Sequence, residues 1–119
     1  MIISGQGVVL IFVTVLGLSF GQILFKLAAS ELPPFADWTL TSFFSRWLIS
    51  AFFVYFAATA CWVLALRITP LRLAYPLAAL GFVVVPILAH YMLGETLRPS
   101  TLIGSLVIVA GVLISVWWG

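Results

Sequence analysis

Gln22 and Lys26 are the strongly polar residues of a long apolar run, and in a helix they share one face with Ser19. Gln22 and Lys26 stand at i and i+4, with Ser19 one turn earlier. An ionised side chain inside a membrane-spanning helix is costly and tends to face a bundle interior or a wet cavity. A lysine close to a helix end can instead snorkel to the interface. Gln22 sits deeper and cannot do so easily, so the pair favours a polar cavity. A fixed cation there attracts an anion, because none of the three acidic residues, Glu31, Asp37 and Glu95, falls within an apolar run.

Other residues could share that cavity. Tyr55, Thr59 and Trp62 lie on one helical face, where they line a cavity or simply pack. Tyr75 and Pro86 share a face of a later run, which places a phenol hydroxyl within the same bundle as Lys26. Pro76 and Pro86 each free a carbonyl and permit a kink. His90 falls near the expected membrane boundary, and Glu95 with Arg98, three apart in a turn, suits a local ion pair. Gly17 and Gly21 form a small-xxx-small pattern that lets another backbone approach closely, within one chain or between chains. Gly104 and Gly111, with Ser115 beyond them, make a second strip of small residues suited to a dimer interface. Nucleophile–base pairs, phosphate-binding glycine loops and metal-ligand clusters have no candidates, so no enzymatic role, metal or cofactor is expected. The single cysteine, Cys61, rules out an internal disulfide framework.

The elements that must position these residues follow from composition. Of 119 residues 65% are hydrophobic and 7% charged, whereas a soluble domain carries roughly a quarter charged. The exterior must therefore face lipid. A helix needs about 20 apolar residues to cross the hydrocarbon core, and four runs qualify: about 7–29, 47–66, 73–93 and 101–118. They predict an all-α membrane protein, a single domain over 1–119 built as a four-helix bundle. The first run lacks a basic flank and a clean cleavage site, so it reads as a retained helix rather than a signal peptide. Between the first two runs, 30–46 contains Pro33, Pro34 and Asp37 among Phe35, Trp38, Phe43 and Phe44, with Trp47 just beyond, a composition suited to the headgroup level. Pro70 ends one helix, Gly94 can stop the next, and Pro99 suits the first turn of the last. Short turns make helices two, three and four antiparallel neighbours. The five basic residues lie singly near the ends of apolar runs, a membrane-flanking pattern that gives no footing for nucleic acid. Lys26, Arg46 and Arg98 share one side, while Arg67 and Arg72 share the other with the terminal amine. Orientation by basic excess is nearly a tie.

The stretch RITPLRLAYPLAALGFVVVPILAHYMLGETLRPSTLIGSLVIVAGVLI, beginning at Arg67, resembles the second half of a small multidrug resistance protein. In that family a membrane-embedded glutamate, three positions before the first-helix glycine, couples protons to cation export; here the position is Leu18. The segment LGLSFGQILFKLA is similar to the first helix of a branch of the same superfamily, the paired flippase subunits for undecaprenyl phosphate carrying 4-amino-4-deoxyarabinose. Gly21, Gln22 and Lys26 match that branch, as do Ala74, Tyr75 and Pro76, while Gly81 stands where those subunits often carry asparagine.

The resemblance implies a small multidrug resistance-like fold acting as a homodimer, or as a heterodimer with a homologous subunit, in the bacterial inner membrane. It implies a polyprenyl-phosphate glycolipid as substrate, with Lys26 holding the phosphate and Gln22, Tyr75, Ser19 and Tyr55 around it. Two other readings stay open: a transporter of small cations or polar metabolites, and an accessory subunit of a larger membrane enzyme.

Overall fold

A computed structural model describes residues 5–117, apart from the side chains of Leu40 and Phe43. The described chain is all helical: α1 (Gly5–Ser30), α2 (Arg46–Ile68), α3 (Leu71–Ala78), α4 (Gly81–Leu93) and α5 (Pro99–Trp117). Taken as one segment, α3 and α4 give the third of four stretches long and apolar enough to cross a membrane. The expected four runs are thus found with ends shifted by a few residues; Trp118, expected in the last helix, and the side chain of Phe43 lie outside the described residues.

Local chemistry sets the ends. Ser45 caps α2 by accepting the Leu48 N–H at 3.1 Å. Gly94 closes α4 with φ of 72°, a left-handed conformation that only glycine enters without strain. Pro99 opens α5, where its missing N–H costs nothing. The segment 31–45 forms two short 3-10 turns, Phe35–Asp37 and Leu40–Phe43. The Trp38 indole donates to Pro33 O at 2.8 Å, and the Trp47 indole donates to Glu31 Oε1 at 2.8 Å, tying the end of α1 to the start of α2. Arg46 stacks over the Trp47 ring, 4.9 Å from its centroid.

The packing is centred on α1, which lies against α2 along much of its length and also meets α3 and α4. On α2 the residues buried against the rest of the chain are Ala51, Ala58 and Ala65, one every seven positions. Gly17 faces that strip so closely that a methyl group on it would lie 3.0 Å from Ala58 Cβ. Gly21 likewise lets the Tyr55 ring lie against α1, with only 3.3 Å to a built Cβ. The small-xxx-small pattern of α1 is therefore used within the chain. Phe25 then packs edge-on against both Phe52 and Tyr55, at 5.5 and 5.6 Å between centroids.

Two expectations need correction. Helices two, three and four are not a simple row of neighbours, because α2 spends its contacts on α1 and meets α3 only slightly; the alanine and glycine surfaces allow a closer approach there than the bulkier faces elsewhere. Among the described residues Glu95 and Arg98 form no ion pair. Instead the Glu95 backbone caps α4, its N–H reaching Ala89 O at 3.3 Å and its carbonyl lying 2.8 Å from His90 Nδ1.

Candidate substrate groove

Two adjoining depressions of about 510 Å³ each run between α1, α2 and the α3–α4 segment. They share Leu18, Tyr55, Ala78 and Phe82 and so form one open-sided groove. The half toward the start of α3 adds Thr59, Trp62, Tyr75, Pro76 and Ala79. The other half adds Val15, Ser19, Gln22, Gly81, Val85 and Pro86. Most of this lining is apolar, and no carboxylate belongs to it.

The local sequence explains why these side chains converge. On α1, Leu18, Ser19 and Gln22 occupy the face next to the one that packs on α2. The small Gly21 leaves room for the Tyr55 ring, and Phe25, one turn further along α1, packs edge-on against it. Thr59 returns its hydroxyl to Tyr55 O at 2.8 Å, which leaves mainly its methyl for the groove. Tyr75 is 68% exposed on α3 and contributes the outermost wall.

Of the residues singled out by sequence, Ser19, Gln22 and Tyr55 meet in one half, and Tyr55 meets Tyr75 in the other. Tyr55, Thr59 and Trp62 do line a cavity together. Lys26 lies on the same face of α1 one turn beyond Gln22, about 6 Å along the axis; it is exposed and lines neither depression. Gly104, Gly111 and Ser115 are exposed on α5, and a Cβ at either glycine would meet nothing within 4 Å. Sequence reasoning did not anticipate Leu18, Ala78, Gly81 and Phe82 as lining. Leu18 was marked by its place in the resemblance, but an apolar phenylalanine among lipid-facing ones carries no local signal.

The arrangement suits an amphiphile. An open-sided apolar groove can hold part of a lipid while its polar portion sits among Ser19, Gln22, Tyr55 and Tyr75, and the absence of a lining carboxylate removes the usual attraction for cations.

The chain is 40% identical over 106 residues to a protein of Proteus mirabilis described as a probable 4-amino-4-deoxy-L-arabinose-phosphoundecaprenol flippase subunit ArnF, covering 76% of this chain and 77% of the relative. It is 34% identical over 104 residues to a protein of Pseudomonas paraeruginosa described as a probable flippase subunit ArnE for the same lipid, covering 87% and 90% of the two chains. An ArnF relative from Erwinia tasmaniensis is 33% identical over 110 residues, covering 83% and 85%. No solved structure matches. Residues 7–117, almost the entire chain, match the EamA-like transporter family, and the chain belongs to that family.

Proposed function

We propose that this chain is one subunit of a bacterial inner-membrane flippase for a polyprenyl-phosphate-linked sugar, paired with a homologous subunit or with a second copy. The observation that carries the reading is the groove. It is apolar and open-sided, its polar lining is neutral, and the Lys26 ammonium stands one turn of α1 beyond Gln22. The relatives' described substrate, a phosphoundecaprenol bearing an amino sugar, has the chemistry this surface fits. Its long isoprenoid chain stays between helices in lipid, its phosphate meets Lys26, and its sugar hydroxyls meet Gln22, Ser19, Tyr55 and Tyr75. A pairing partner supplies the missing wall of the groove, since four helices enclose little volume by themselves, and the glycine strip of α5 is free to meet it.

An ammonium–phosphate pair at 4 Å gains roughly 4 kcal/mol at an effective dielectric near 20, before desolvation is subtracted. A cation meets the same interaction with reversed sign. Lys26→Ala should therefore weaken binding of undecaprenyl phosphate by about 10- to 100-fold, the range expected for hydrogen bonds to a charged group. Lys26→Arg should retain part of the binding, in a fork of different reach. The assay is native mass spectrometry of the reconstituted protein, with a quaternary ammonium dye as the opposing ligand. Dye binding that survives Lys26→Ala, with no lipid-phosphate binding in the unaltered protein, refutes the flippase reading in favour of a cation transporter.

A further inference from the structure

The groove has two ends, and a basic residue marks each. At one, Lys26 follows Gln22 by four positions on α1. At the other, Arg72 precedes Tyr75 by three positions and Pro76 by four on α3, so it continues the face of that helix that lines the groove, about 4.5 Å further along the axis than Tyr75. Arg72 is exposed, as Lys26 is. The two ends open on opposite membrane faces, because one whole span, α2, separates the end of α1 from the start of α3.

Charge is divided unevenly between those faces. Glu31, Asp37 and Glu95, the three acidic residues of the sequence, all lie on the Lys26 face, in the connections before α2 and after α4. There they balance Lys26, Arg46 and Arg98. On the other face the α2–α3 turn carries Arg67 and Arg72 with no side-chain carboxylate, so the formal net charge of +2 belongs to that face. The two arginines differ in where they stand. Arg67 lies about a third of a turn round α2 from the lining residues Tyr55, Thr59 and Trp62, and only Arg72 continues the groove.

We propose that Arg72 is a second station for a lipid phosphate, at the mouth of the groove on the membrane face opposite Lys26. A guanidinium suits the task, since its planar fork meets two phosphate oxygens at once. Tyr75, one turn inward and 68% exposed, can donate its hydroxyl to the same headgroup. A phosphate that crosses between leaflets must leave one charged partner and find another, and the neutral lining between the two cations offers hydrogen bonds without a counter-charge to trap it. Arg72 is the second residue of α3, whereas four residues of α1 follow Lys26. The arginine therefore stands nearer water, where the higher dielectric makes its hold the weaker of the two. The station rests on the flippase reading for the source of the phosphate, a lipid headgroup.

The test titrates the full chain, in nanodiscs of zwitterionic phospholipid, with undecaprenyl phosphate, uncharged undecaprenol and inorganic phosphate. A Lys26→Ala background removes the stronger station and should still prefer undecaprenyl phosphate to undecaprenol. Adding Arg72→Gln should lower the affinity for undecaprenyl phosphate about 10-fold and leave undecaprenol binding unchanged, while Arg72→Lys should keep part of the preference. Arg67→Gln removes the same charge from the same face and should change the affinity less than about twofold. All three side chains are exposed, so none of these substitutions opens a cavity. No loss from Arg72→Gln, an equal loss from Arg67→Gln, or no preference left in Lys26→Ala would each overturn the Arg72 station, while a lipid-phosphate preference in the unaltered chain keeps the flippase reading standing. Displacement of the Arg72-dependent lipid by an equal amount of phosphatidylglycerol would reduce the station to a contact for any anionic lipid and overturn it. Arg72-dependent binding of inorganic phosphate, in a chain that does not distinguish undecaprenyl phosphate from undecaprenol, would overturn the lipid source and the flippase reading with it.

Discussion

Replacing Gly17 with alanine tests whether the seam between α1 and α2 is as tight as its geometry implies. The added Cβ would sit 3.0 Å from Ala58 Cβ, whereas carbon atoms prefer about 3.5–4.0 Å. Both atoms are fixed directly to backbone, so no rotamer change relieves the contact and the helices must separate by about half an ångström or more. Overpacking of this kind costs about 1–3 kcal/mol. Alanine also gains helix propensity over glycine, up to about 1 kcal/mol, which would mask part of the loss. Gly104→Ala, measured at dilution that keeps the chain unpaired, serves as the reference, because within the single chain it collects the same backbone gain at a position with nothing within 4 Å. The difference between the two variants should therefore be about 1–3 kcal/mol, read by steric trapping in bicelles. Adding Ala58→Gly to Gly17→Ala removes the clashing atom and should restore most of the loss, since the next contact, Ala58 Cα, lies at an ordinary 3.8 Å. A difference under about 0.5 kcal/mol, the usual scatter for substitutions away from such features, or no rescue by Ala58→Gly, would refute the tight-seam argument.

Gly104→Leu with Gly111→Leu should leave the single chain folded, since both positions are open, yet reduce crosslinking to a second subunit; unchanged crosslinking would place the interface elsewhere. Trp47→Phe removes the 2.8 Å bond to Glu31 and should cost under about 1 kcal/mol, as expected for an exposed bond, while speeding hydrogen exchange across 31–45. Equal exchange in both proteins would show that the tie does not order the loop. Two lysines added at the C-terminus should bias a topology reporter strongly to one side, because the basic residues are nearly balanced; a reporter found wholly on one side before the addition argues against dual orientation.

Composition and run length were enough to specify four spans, because lipid leaves a long apolar segment little choice but a helix that satisfies its own backbone. Pro70, Gly94 and Pro99 could likewise be read as boundaries from their local chemistry, whereas the Ser45 cap of α2 emerged only in the structure, and the motifs around Gln22, Lys26 and Tyr75 pointed to the transporter family. Which helices touch was not legible in that way. Every face of these spans is apolar, so the contrast between buried and exposed sides that orders a soluble bundle is missing, and size becomes the deciding property. Ala58 packs on α1 because Gly17 can meet it, and Gly21 makes room for Tyr55, matches visible only when both helices are in place. The same holds for the site. Sequence placed Ser19, Gln22 and Lys26 on one face, but the fold set the first two in the groove and left Lys26 beyond it. The tightened turn at Ala79–Leu80, where the chain passes from α3 to α4, is a property of backbone hydrogen bonds in a packed span. Neither Pro76 nor Pro86 marks it, because a proline permits a bend while the neighbouring helices decide where the backbone yields.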